Sequence, residues 1–121
     1  MFKSFVAALL LLAVHAAAPA AGAESTLTTQ SFTIMIKQNC PEGEVSCDSV
    51  TYEGSSNKTG KAIKLRGKTL HSICADGKTP CKFQGYEFKN GKTAYTVMES
   101  GDLTVTYDGK TLIHEQGTWS K

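Results

Sequence analysis

Residues 85–115 read GYEFKNGKTAYTVMESGDLTVTYDGKTLIHE. Apolar and polar residues alternate there in short runs, and each run ends in a turn-forming step: Asn90-Gly91, Ser100-Gly101-Asp102 and Asp108-Gly109. A period of two sends successive side chains to opposite faces of a strand. Asn-Gly and Asp-Gly supply the positive φ that two-residue hairpin loops demand. The stretch therefore predicts four antiparallel strands in a meander. A two-residue loop at Asn90-Gly91 sets Phe88 opposite Thr93 and Tyr86 opposite Tyr95. At the second turn a three-residue loop sets Val97 opposite Val105 and Tyr95 opposite Tyr107. A two-residue loop would carry the apolar set to the other side of the sheet. The third hairpin sets Val105 opposite Leu112 and Leu103 opposite His114.

The same pattern runs upstream. Phe32, Ile34 and Ile36 alternate with Thr33, Met35 and Lys37, Val50 and Tyr52 with Ser49 and Thr51, and Ile63 and Leu65 with Lys64 and Arg66. Leu70 to Cys74 forms another short run, and no segment beyond residue 23 keeps a helical period. Short strands punctuated by turn residues predict an all-β fold. About eight of them would close a small antiparallel meander into a barrel, which removes sheet edges, or pack it as a sandwich.

Two cysteine-bounded segments share one plan: CPEGEVSC at 40–47 and CADGKTPC at 74–81. Each has an acid–Gly turn step in its middle, Glu42-Gly43 and Asp76-Gly77, which brings its ends together. Local bridges Cys40–Cys47 and Cys74–Cys81 are expected, although four cysteines allow three connectivities. A six-residue gap is wide for a zinc clip and wrong for a Cys-x-x-Cys redox pair. Gly-Lys recurs at 60, 67, 77, 91 and 109, but none of these glycines has a second glycine five positions earlier. A phosphate-binding loop is thereby excluded, and these steps read as turn exits.

The first residues, MFKSFVAALLLLAVHAAAPAAGAE, combine Lys3, an apolar run from Phe5 to Val14 and small residues ending at Ala23. That is the form of a secretory signal spanning 1–23, too short and too weakly flanked for a membrane anchor. It leaves one β domain at 24–121, periplasmic or secreted, where disulfides persist. Without Lys3, twelve basic residues oppose eleven acids. The distribution is uneven: residues 24–53 carry −4, residues 54–83 carry +6 and the remainder −1. Near-neutral total charge and a basic run without interleaved aromatics argue against nucleic acid as partner.

Candidate binding residues are Tyr86, Tyr95 and Tyr107, with Tyr52, as ring surfaces at a barrel mouth. Lys64, Arg66 and Lys68 form a basic set that shares a face only if its strand runs through Gly67, which is expected to interrupt it. The simpler reading is core tyrosines and a solvated lysine face. His71 and His114 have no nucleophile signature near them, so no catalytic residue, cofactor or metal is expected. Asn57-Lys58-Thr59 is a glycosylation sequon, silent in a bacterial setting.

The stretches CDSVTYEG, CADGKTPCKFQGYEFKNG and EQGTW resemble a family of small exported bacterial proteins without assigned function, over nearly the whole chain beyond the signal. In architecture alone the expected barrel resembles the periplasmic lysozyme inhibitors. Their Ser-Gly-x-x-Tyr loop is missing, since Ser100-Gly101 is followed by Asp102-Leu103-Thr104. The expected function is non-catalytic binding, inhibitor-like or immunity-like, to a protein of the cell envelope. The alternative is a small barrel that carries a lipid or another small ligand.

Overall fold

The structure, a computed structural model, describes residues 23–120, so the export signal expected over 1–23 lies, but for its last residue, outside the described residues. The strands are β1 (Glu24–Thr28), β2 (Phe32–Gln38), β3 (Val50–Ser56), β4 (Ala62–Ile73), β5 (Pro80–Asn90), β6 (Thr93–Met98), β7 (Asp102–Tyr107), β8 (Lys110–Gln116) and β9 (Thr118–Ser120). They form one antiparallel sheet in the order β8-β7-β6-β5-β4-β3-β2-β1-β9. The fold is all-β, as the alternation predicts.

The two end strands of that order are consecutive in the chain. β8 pairs with β7, and β9, one residue later, pairs with β1 on the far side. A single extended stretch bent at Gly117 thus brings the two sides of the sheet together into a nearly closed barrel. The bend needs a residue without Cβ, because a Cβ there would lie 2.7 Å from the Thr28 carbonyl oxygen and 2.9 Å from Leu27 Cδ1. Gly117 N–H donates to the Gly101 carbonyl at 2.8 Å, and Glu115 spans the seam by accepting from Ser31 N–H at 3.0 Å and Ser31 Oγ at 2.6 Å. The barrel is nearly closed: β9 continues the sheet past β1, while β8 pairs with β7 alone and its outer edge is bridged by the Glu115–Ser31 bonds.

Inward-facing positions follow the period of two: Ile34 and Ile36, Val50 and Tyr52, Leu65, Tyr86 and Phe88, Val97, Leu103 and Val105 are buried. Phe88 is the largest side chain with no exposure, and Gly67 opposite it makes room for its ring. A Cβ at Gly67 would come within 2.5 Å of Phe88 Cδ1. β4 therefore runs unbroken through Gly67, and Ile63–Arg66 and Leu70–Ile73 are one strand rather than two. β1 and β9, which have little alternation of their own, bring the observed number to nine.

Three register details differ from the sequence reading. The β5–β6 loop is Gly91-Lys92, so Phe88 faces Tyr95 and Tyr86 faces Val97. The β6–β7 loop has three residues as expected but is Glu99-Ser100-Gly101, so Val97 faces Leu103 and Tyr95 faces Val105. Both shifts are by two residues and keep every side chain on its expected face. The third changes faces. The hairpin closes at Asp108-Gly109 with positive φ at both residues, but a bulge follows and Val105 faces Ile113. Leu112 turns outward, 62% exposed, and Ile113 packs inward in its place.

Candidate functional site

An up-and-down meander delivers its loops alternately to two ends. One end carries the short turns of β1–β2, β3–β4, β5–β6 and β7–β8. The other carries both cysteine-bounded loops and the turn at Glu99-Ser100-Gly101. Both bridges are local, Cys40–Cys47 and Cys74–Cys81, with Cα atoms 5.7 and 5.1 Å apart, and no described cysteine is free.

The first loop is anchored from within. Cys47 is 3% exposed; its N–H donates to Thr69 Oγ1 at 2.9 Å, and its carbonyl accepts from Thr69 N–H at 2.8 Å. The segment between the cysteines is exposed, with Glu42, Glu44 and Val45 outward and Asp48 beyond it. Val45 is 64% exposed. The second loop ends an arm made by the last residues of β4 and the first of β5, which pair on beyond the start of β3 with register shifts at Leu70/His71 and His71/Ile73. Ile73, 58% exposed, stands beside its bridge. Asp76 fixes the turn by accepting from the Thr79 hydroxyl and from the N–H groups of Thr79 and Lys78, both at 2.8 Å, which lowers its pKa to about 2.

Beneath these loops lies a cleft of about 560 Å³, lined by Phe83, Tyr86 and Trp119 and bordered by Gln38, Glu99 and the start of β1. Tyr86 meets Phe83 edge-on at 5.1 Å and Trp119 at 6.3 Å. Gln38 Nε2 donates to the Tyr86 hydroxyl oxygen at 3.1 Å, and Trp119 Nε1 donates to the Met98 carbonyl at 3.2 Å. Burial raises the Tyr86 pKa, the Gln38 bond opposes this, and the Glu99 carboxylate adds to the rise. His71 stacks edge-on against Phe83 at 5.8 Å and shares a 2.9 Å hydrogen bond with Thr69 Oγ1; its Nδ1 is buried without a partner.

The opposite end has a cleft of about 520 Å³ with Phe32, Tyr52, Tyr95, Ile63 and Ile113 on its walls and Lys61 at its rim. Burial and the neighbouring Tyr95 phenol push the Tyr52 pKa well above its ordinary value. Lys58, Lys61, Lys92 and Lys110 sit on or beside the turns here, with Asp108. Between the clefts the barrel is filled, since Phe88, Leu27, Ile34 and Val97 have no exposure. Rings connect the ends: Tyr86 packs on Phe88 at 6.4 Å, Phe88 on Tyr52 at 5.0 Å and Tyr52 on Tyr95 at 5.4 Å.

The tyrosines expected at one mouth are therefore divided. Tyr86 belongs to the loop end, Tyr95 with Tyr52 to the turn end, and Tyr107 is half-exposed where β7 meets its hairpin. Lys64, Arg66 and Lys68 do share an outer face, because β4 continues through Gly67. That face is mixed in charge: Lys64 pairs with Glu53 at 3.4 Å, Arg66 donates to Ser49 Oγ at 3.3 Å, and Lys68 lies across from Glu87. His114 is exposed and 3.5 Å from Asp102, whereas neighbouring Glu115 faces away to Ser31. The sequon residue Asn57 ties two turns together, donating from Nδ2 to the Thr29 carbonyl at 3.2 Å and accepting from Thr33 Oγ1 at 2.7 Å. Phe83, Trp119 and Glu99 were not singled out from sequence; an unpaired aromatic beside a cysteine arm and the chain's single tryptophan were the available signals. Comparison with protein-family models, curated proteins and solved structures gave no match.

Proposed function

We propose that this chain is a non-catalytic binding module that recognises a protein outside the cytoplasm through the disulfide-fastened end of its barrel. The observation that carries this reading is the convergence of two covalently closed loops at one end. Each presents an exposed branched aliphatic residue, Val45 among Glu42, Glu44 and Asp48 on the first loop, and Ile73 next to the second, which carries Asp76 and Lys78 with Lys82 beyond it. Fastened loops lose little conformational freedom on docking, and that is how small rigid binders gain affinity. The acids around Val45 on the first loop suit a partner with a basic, partly apolar surface there. Inhibitor-like or immunity-like action is the most specific form of this function.

Capture from cell-envelope extract tests it. The wild-type chain and Leu112→Asp, altered at the turn end, are expected to retain the same protein, and Val45→Asp/Ile73→Asp is expected to lose it. Equal capture by all three would refute the assignment of the loop end. The filled interior disfavours the alternative of a ligand carried inside the barrel, and leaves such a carrier only the end clefts.

A further inference from the structure

The cleft at the end of the fastened loops is aromatic, bordered by the carboxylate residues Glu24 and Glu99, and otherwise unexplained by the folding of the barrel. We infer that it receives the cationic tip of a lysine or arginine side chain carried by the protein partner, an inference that rests on the binding end proposed above.

Three features select a cation. Phe83, Tyr86 and Trp119 meet at interplanar angles of 66° and 62°, so they form walls rather than a stack. Aromatic walls attract ammonium and guanidinium groups through their negative π faces, tryptophan most strongly. Next, the polar edges of the walls are already engaged: the indole N–H donates to Met98, and the Tyr86 oxygen accepts from Gln38. An anion would find no free indole donor there. Last, Glu99 stands at the border close enough to Tyr86 to disfavour its phenolate, and among the described residues the ion pairs are Lys64–Glu53 and His114–Asp102, so Glu99 has none. Lys82 runs along the same arm but does not pair with it.

The surroundings favour a side chain borne by a protein. Glu42, Glu44 and Asp48 on the first loop stand on the same end and raise the local concentration of a basic surface, while Asp76 is offset by Lys78 and Lys82. Val45 and Ile73, exposed at the same end of the barrel, give that surface apolar contacts. A volume of about 560 Å³ accommodates one long side chain together with water.

Trp119, the only tryptophan of the chain, reports on the cleft directly. The oxidised protein beginning at Glu24 is titrated with Nα-acetyl-lysine amide, Nα-acetyl-arginine amide and the neutral Nα-acetyl-norleucine amide while indole fluorescence is followed. The cationic probes are expected to give a saturable change that norleucine does not, and Glu99→Gln is expected to weaken it at least about threefold. Equal responses to norleucine and lysine, or an unchanged response in Glu99→Gln, would overturn the inference. Capture from envelope extract separates the two levels. Capture of a protein by the wild-type chain, with no probe binding to that same chain, sinks the cation site and leaves the binding end standing. Probe binding without any captured protein overturns the protein-borne source and points to a free organic cation.

Discussion

The two ends of this barrel are built by different means. At the turn end, short hairpins are held by side chains: Asn57 ties the β3–β4 turn to the β1–β2 turn, and Glu115 ties β8 to Ser31. At the opposite end two connections are longer and exposed, the first of them acidic, and covalent bridges hold both. Hydrogen-bonded two- and three-residue turns need no further support because the strand twist already favours them. A loop that presents apolar residues to water gains nothing from its own packing, so it stays ordered only if something else fixes it. Both ends expose apolar side chains, Leu112 and Tyr107 at the turn end and Val45 and Ile73 at the other, but only the latter pair stands on or beside covalently fastened loops.

Removing what the ends share should have the largest effect. Phe88 joins the rings of both clefts and is fully buried, so Phe88→Ala is expected to cost about 3–5 kcal/mol in urea unfolding. Indole fluorescence should change with it, because Trp119 touches Tyr86, which packs on Phe88. A loss below about 1 kcal/mol would mean that the ends are not coupled through the core.

Next come the staples. Replacing both cysteines of a bridge by serine releases a loop whose closure stabilises the fold by roughly 2.5 kcal/mol. The cost is expected to be larger for Cys40–Cys47 than for Cys74–Cys81, because Cys47 is a core residue as well as a bridge. Amide exchange should accelerate between residues 39 and 49 in the first variant and in the β4–β5 arm in the second, with the turn end unchanged. Acceleration spread evenly over both ends would erase the contrast.

These expectations show how far the sequence could be read. Turn dipeptides, alternation and the repeated cysteine plan were enough for the sheet class, the local bridges and the inward set from Tyr86 to Val105. Registers at two hairpins were displaced by two residues, because a pattern of period two looks the same after an even shift. Leu112 and Ile113 are both apolar, so nothing local announced the bulge that exchanges them. Strand continuity through Gly67 depends on Phe88, twenty-one positions away, filling the space a side chain would occupy. Closure at Gly117 likewise depends on contacts with Thr28 and Leu27, and β1 offers only Leu27 as a buried apolar anchor. The candidate site was the least legible part. Its rings come from β5 and β9 and its carboxylates, Glu24 and Glu99, from β1 and a turn, so no local spacing joins them.

The turn end makes a smaller, pH-dependent prediction. Hydrogen bonds from the Ser31 hydroxyl, then the Thr29 hydroxyl, hold the Glu115 carboxyl below its usual range. Its folded pKa is depressed, so its contribution is present above the unfolded value of about 4.3 and is lost as pH falls through the folded value. Glu115→Ala is expected to cost about 1–2 kcal/mol at neutral pH, and Glu115→Gln to flatten the loss of stability on acidification. An unaltered acid profile in Glu115→Gln would show that the seam is held by Gly117 and β9 alone. The smallest effect on stability belongs to the display residues: Val45→Asp and Ile73→Asp should each change it by no more than about 0.5 kcal/mol while they abolish capture.

The loop end as the recognising surface is tested most directly by a photo-crosslinking residue placed at position 45 or at position 112, with each chain expressed in its native cell envelope. A discrete protein adduct at position 45 and none at position 112 is the predicted result. Adducts at 112 alone, or at neither position, would contradict it.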